Sequence, residues 1–218
     1  MNAEKQKEQN FISAVVYLHN DADKAVPFLE MLNGRLAARF AQYELVAVDD
    51  RCSDGTVAAV KEWAKGLAKP LTIVHMSLFQ GVESAMNAGL DCAIGDYVYE
   101  FDAPEAPWPE ARIDEAYDEA LRGSDIVSVC PTAQRGSSKL FYRLFNAHSH
   151  SAYKLRTDAF RIVSRRAINR VHAVSVKLPY RKAAYAASGL KMATLTYEGT
   201  APRRSEGRFT LAVDSLTL

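Results

Sequence analysis

The chain changes its hydrophobic period at regular intervals, and this alternation constrains the fold more than any other feature. Residues 12–18 (ISAVVYL) are continuously apolar and β-branched, the pattern of a strand buried on both faces. A polar cluster at 20–23 (NDAD) marks a helix start, and Ala25, Phe28, Leu29, Leu32, Leu36 and Phe40 then recur at helical spacing. The unit repeats. A strand at 45–48 leads through the turn at 52–55 into a helix carrying Val57, Val60, Ala64 and Leu67. A strand at 71–76 is followed by a helix opening at Gly81, and a strand at 97–101 by the loop 104–109 and a helix at 110–122. A strand at 125–130 closes the series. Strands separated by helices of this length imply βαβ units, an α/β class and a largely parallel sheet. In such folds ligands bind at the carboxyl ends of the strands. Here those ends carry Asp21, Asp49, Asp50 and Asp102. Carboxylates gathered in one crevice repel unless a positive or hydrogen-bonding group sits between them, so the clustering is a functional signal.

The alternation stops near residue 131. A helix is expected at 137–150, with Arg135, Lys139 and Arg143 spaced i, i+4, i+8 as a basic stripe. Shorter helices follow at 164–171 and 180–187, a strand at 192–197 and an amphipathic segment at 208–218. The charge divides at the same place. Residues 1–125 hold 11 Lys and Arg against 22 Asp and Glu, and residues 126–218 hold 16 against 4. Acidic groups that hold a sugar or cation, and basic groups that meet phosphate or an anionic membrane face, would explain this split. Mutual neutralisation of the halves in the folded state explains it equally well.

Several classes fall away. With 48% hydrophobic and 24% charged residues the 218-residue chain is neither disordered nor fibrous. At this length it can bury about 70% of its unfolded surface without staples. The three cysteines form no CxxC pair, which argues for a reducing compartment and against a zinc site. No apolar run approaches the roughly 18 residues of a membrane span, and the polar N-terminus does not read as a signal peptide. A cytoplasmic location, at most on the inner face of a membrane, is expected. GxGxxG, GxxxxGK[ST] and GxSxG are all missing, which removes dinucleotide, P-loop and nucleophile-elbow chemistry. An Asp-rich crevice with no glycine phosphate cradle can instead hydrogen-bond a base, hold ribose hydroxyls or ligate a cation carrying a diphosphate. That pattern points to a nucleotide-sugar. Nucleic-acid binding would rest on the basic half alone and is not expected.

The string VDDRCSDGT at 48–56 resembles the VDDxSxDGT signature of family-2 glycosyltransferases of GT-A fold. VYLHND at 16–21, GVESAMNAG at 81–89 and GDY at 95–97 with Asp102 resemble its companion motifs in order. SKLFYRLFN at 138–146 and AFRI at 159–162 are similar to the polyprenyl-phosphate (dolichyl-phosphate) sugar synthase branch. The resemblance covers roughly residues 11–210. It implies a single GT-A domain, Rossmann-like, with a nucleotide-binding part at about 11–130 and a basic acceptor-side part at about 131–218. It implies that Asp21 meets the ribose and Asp50 the base, with Leu18, Asn20, Gly81 and Asn87 completing the nucleotide site. Asp102 would meet a divalent metal (magnesium or manganese) or the diphosphate, and Arg135, Ser138 and Lys139 the diphosphate or acceptor phosphate. The implied partners are a nucleotide-sugar, more readily UDP-linked, and a lipid-phosphate or cell-surface glycan acceptor. Separately from the resemblance, Arg203, Arg204 and Arg208, just before the amphipathic segment, read equally as a contact to phosphate or an anionic, peripheral membrane surface and as a plain basic surface. The sequence departs from the family at DAPE (102–105): Pro104 stands where a second Asp is usual, which leaves Glu105, one residue on, as the candidate second metal ligand. The same departure admits an inactive GT-A domain that binds a nucleotide or a partner.

Overall fold

The computed structural model describes residues 6–133, 142–143, 153–174 and 180–200. The expected series is present: β1 (Ile12–Leu18), α1 (Ala25–Arg39), β2 (Tyr43–Asp49), α2 (Thr56–Ala64), β3 (Leu71–His75), α3 (Val82–Cys92), β4 (Tyr97–Phe101), α4 (Ala111–Leu121) and β5 (Ile126–Ala133). It continues with β6 (Phe160–Ser164), α5 (Arg165–Val174), α6 (Arg181–Ala187) and β7 (Met192–Thr200). The expected helix at 137–150 and the segment at 208–218 lie outside the described residues, apart from Tyr142 and Arg143.

The seven strands form one sheet in the order β3-β2-β1-β4-β6-β5-β7. All neighbours are parallel except β6, which runs antiparallel to both β4 and β5. β6 is a correction to the sequence reading, which has no strand there. Its buried apolar run is broken by Arg161, and a charge in mid-strand hides the pattern.

Both faces of the sheet are covered, which is why β1 and β2 carry the apolar runs Ala14–Leu18 and Leu45–Val48. On one face Ile12, Ala14, Val16 and Leu18 pack with Phe28, Leu29 and Leu32 of α1, Val60 of α2 and Ile113 and Tyr117 of α4. On the other, Val15, Val46 and Val48 pack with Met86 and Leu90 of α3, Ile168 of α5 and Tyr185 of α6. α3 lies close to the sheet because residue 89 is glycine. A Cβ there would stand 2.5 Å from Val48 Cγ2 and 2.6 Å from Val15 Cγ1. No helix among the described residues is long and apolar enough to cross a membrane.

The chain runs outward from β1 through β2 to β3, then returns to place β4 on the other side of β1. The strand order therefore reverses between β1 and β4, and in open α/β sheets it is outside the carboxyl ends at such a switch point that ligands bind.

Candidate functional site

Each strand end contributes a loop to the crevice, and the loops are tied to one another by side chains. Asp21 closes the turn after β1: its Oδ2 accepts from the His19 backbone N–H at 2.9 Å, and its own N–H donates to Thr56 Oγ1 at 2.8 Å. It is half-buried, and that burial raises its carboxyl above the ordinary range. Asn20, with φ of 57°, accepts through Oδ1 from the Ser53 N–H at 2.8 Å. Leu18 is buried, and its carbonyl accepts from the Asp50 N–H at 3.0 Å. The loops after β1 and β2 are thus one assembly.

Asp50 organises the third loop. It is completely buried, and both oxygens are engaged: Oδ1 by the Gln80 N–H at 2.9 Å, Oδ2 by the Gly81 N–H at 2.8 Å and the Tyr17 hydroxyl at 2.9 Å. Gly81 adopts φ of 81°, a conformation a side chain would strain, and this turns its N–H onto the carboxylate before α3 begins. Tyr17 is held in its neutral form, pushed well up first by burial and then by its bond to Asp50. The resemblance implies that Asp50 meets a base; the structure has it gathering residues 17, 80 and 81. Asp49, beside it, accepts from the Cys52 N–H at 2.7 Å and the His75 ring at 2.8 Å. Burial works to raise the Asp49 carboxyl, but these donors outweigh it and hold the group below the usual range. His19 donates from its ring to the Asp50 carbonyl at 2.7 Å and leans on the half-exposed Phe79, centroid to centroid 4.6 Å. Asn87 lies half-buried on α3.

At the fourth strand end the carboxylates meet protein cations. Asp102 is buried, its Oδ1 accepting from Arg181 Nη2 at 2.6 Å and its Oδ2 from Arg161 Nη2 at 3.1 Å. The same two guanidiniums hold Glu100 at 2.6 and 2.5 Å, and Tyr185 donates to its other oxygen at 2.5 Å. Arg181 also reaches Glu83 on α3 at 2.9 Å, and Arg161 reaches Asp158 at 2.9 Å. Lys182 completes the cluster on Asp158. Burial works to lower both arginines, but the surrounding carboxylates outweigh it and hold them above their ordinary value. Four carboxylates and three cations thus share one buried network that joins α3, β4, β6 and α6.

Both residues expected to ligate a metal therefore have cationic protein partners. Asp102 is clasped by Arg161 and Arg181, and Glu105, at the rim, pairs with Lys24 at 2.8 Å. As arranged, they do not fit a divalent ion: both Asp102 oxygens face guanidiniums, and proline 104 offers no oxygen donor side chain. Among the described residues no three His, Cys, Asp or Glu side chains converge on a metal-sized site. Arg135, Ser138, Lys139, Arg203, Arg204 and Arg208 lie outside the described residues.

Sequence reasoning missed Arg161, Arg181, Glu83 and Glu100. Two signals were available: Arg161 sits between Phe160 and Ile162, and Arg181-Lys182 opens α6, where the helix dipole disfavours cations. A charge placed against local preference is held there by a partner.

Comparison with known proteins gives the family and the fold. Residues 13–188 match the sequence profile of glycosyl transferase family 2. An uncharacterized glycosyltransferase of Synechocystis is 24% identical over 86% of this chain and 60% of its own length. The undecaprenyl-phosphate 4-deoxy-4-formamido-L-arabinose transferase of Edwardsiella ictaluri is 30% identical over 56% of this chain and 37% of its own. The chain thus spans between about a third and three fifths of these curated relatives. Among solved structures, a mannosyltransferase of Pyrobaculum calidifontis in complex with GDP-Man and Mn2+ superposes with a TM-score of 0.68 at 21% identity, covering 91% of this chain and 59% of that one. Glucosyl-3-phosphoglycerate synthase of Mycobacterium tuberculosis, in complex with Mn2+, UDP-glucose and phosphoglyceric acid, gives 0.66 at 11% identity over 95% and 78%. These likenesses establish the GT-A fold.

Proposed function

The chain belongs to glycosyl transferase family 2, and from that premise we propose that it moves a sugar from a nucleoside-diphosphate sugar, UDP-linked, to a lipid-phosphate or cell-surface glycan acceptor with inversion. The observation that carries this reading is that the loops after β1, β2 and β3 are stitched together by Asp21, Asn20, Asp50 and Gly81, and the loop after β4 is tied to them through the Lys24–Glu105 pair. Asp21 is the ribose-facing group: it stands half-exposed at the rim. Asp50 acts on the base indirectly, by fixing the loop at residues 77–81 that carries Phe79 opposite His19. An acceptor phosphate is already anionic and requires no strong general base. Its oxygen attacks the anomeric carbon, the bond from that carbon to the diphosphate oxygen breaks, and the nucleoside diphosphate leaves with the electron pair. Alignment and neutralisation of the leaving group are what the protein must supply. Arg135, Ser138 and Lys139 are the candidate groups for that task. The relatives named for undecaprenyl-phosphate support the lipid-phosphate acceptor.

The test is a calorimetric titration of UDP and GDP into the purified chain, with and without manganese, followed by incubation with UDP-sugars and a short polyprenyl phosphate. Binding of UDP and formation of a lipid-linked sugar of inverted anomeric configuration are expected. No binding of either nucleotide under any condition would refute the proposal. A second reading, a binding module without turnover, is favoured by the clasped Asp102 and by Pro104. It predicts UDP binding with no product.

A further inference from the structure

The carboxylates after β4 stand where a nucleotide-sugar enzyme of this fold would recruit a divalent ion, yet each has a cation of the chain itself. Asp102 has Arg161 on one oxygen and Arg181 on the other, all three side chains being 2% exposed or less. Glu105 has Lys24 from the turn before α1. Residue 104, between them, is a buried proline.

We propose that this crevice takes its nucleoside diphosphate without a divalent metal ion, the acidic groups at the end of β4 being neutralised instead by Arg161, Arg181 and Lys24. The inference rests on reading the crevice as a nucleoside-diphosphate site. Its physical basis is competition for oxygen. A magnesium- or manganese-type ion needs carboxylate oxygens at about 2.0–2.2 Å in a nearly octahedral shell. To offer one, Asp102 must release a guanidinium that also serves Glu100, and Glu100 in turn holds Tyr185. Every oxygen given to the metal strips a partner from a buried charge elsewhere in the network. Nor can a water-filled shell enter cheaply, because Arg181 and Glu100 are fully enclosed. Counter-charge for the diphosphate then falls to basic side chains, which the chain concentrates in residues 126–218, 16 against 4 acidic.

The experiment uses the full chain and manganese as the probe. Free manganese is followed by electron paramagnetic resonance as protein is added, alone and then with UDP or GDP. In parallel, nucleotide affinity is measured with manganese and with EDTA. The expected result is no protein-dependent loss of the free-ion signal, and affinities that agree within two-fold. A ten-fold gain in affinity with manganese, or stoichiometric uptake of the ion, would overturn the proposal. If neither nucleotide binds in either condition, the nucleotide-sugar reading falls, while the manganese-alone arm still decides the metal question. Pro104→Asp supplies a second check. It restores a second carboxylate but leaves Asp102 clasped, so the signal should again stay unchanged; manganese uptake by this variant would show that Asp102 is available and would equally overturn the proposal.

Discussion

Replacing Arg181 by methionine removes the cation that binds the two halves of the buried network. The side chain is fully enclosed and reaches three carboxylates, Glu83 at 2.9 Å, Glu100 at 2.5 Å and Asp102 at 2.6 Å. Methionine fills much of the volume but brings no charge, so four carboxylates then face Arg161 and Lys182 alone. Removing one partner of a buried ion pair costs about 3–5 kcal/mol, chiefly because the opposite charge is left uncompensated. That is a large share of the roughly 5–15 kcal/mol that holds a domain together. At about 2–4 °C per kcal/mol for a chain of this size, the melting midpoint should fall by about 6–20 °C. The assay is thermal and urea unfolding followed by circular dichroism, with Lys24→Met as the reference. Lys24 forms an exposed pair with Glu105 and should cost under about 1 kcal/mol. Two further readouts separate lost charge from lost packing. The deficit of Arg181→Met should shrink as pH is lowered from neutral toward about 5, because protonating an uncompensated carboxylate relieves the repulsion. Adding Glu100→Gln should recover part of the loss, a coupling of about 0.5–3 kcal/mol. A loss below about 1 kcal/mol for Arg181→Met, or a deficit unchanged with pH and with Glu100→Gln, would refute the account of the cluster.

Two other outcomes test the scaffold. Gly89→Ala places a methyl 2.5 Å from Val48 Cγ2 in a packed layer, and should cost about 1–3 kcal/mol in urea unfolding with an unchanged slope. Asp125 accepts from Ser164 at 2.9 Å and twice from Arg166; burial works to raise its carboxyl, but Arg166 and Ser164 outweigh it and hold the group below its ordinary value. A depressed folded pKa gives stability that is present above the unfolded value and is lost as pH falls through the folded one. The melting difference between the wild type and Asp125→Asn, about 1–2 kcal/mol, should therefore hold steady above about pH 5 and vanish toward about pH 2.

The alternating half of the fold was readable because each of its elements has one dominant period. β1 through α4 are either built around short apolar runs or amphipathic at helical spacing, and local pattern decides them. β6 was not readable, because Arg161 faces a core whose counter-charges, Glu100 and Asp102, lie some sixty residues earlier. The same limit applies to the site. The sequence places Asp50 and Asp102 at strand ends, but what they bind depends on distant partners. Tyr17, Gln80 and Gly81 engage the first; Arg161 and Arg181 engage the second. Asp21 is only half-buried, and its carboxylate accepts from the backbone of His19, two residues away, so local sequence decides its surroundings.

The reversed strand β6 carries a consequence for a chain made from its N-terminus. β4 is complete at Phe101, but its outer edge pairs with Phe160–Ser164, and Glu100 lies directly opposite Arg161 in that pairing. During synthesis the first four strands can assemble while this edge stays open, for the length of nearly sixty more residues. An open edge invites pairing with another nascent chain. Glu100 and Asp102, in and just after that strand, are then uncompensated, and charge at an exposed edge discourages such pairing. Only when Arg161 and later Arg181 emerge are these charges compensated and drawn inside. The carboxylates that lock the finished sheet therefore stand without their counter-charges until the chain has been made past residues 161 and 181.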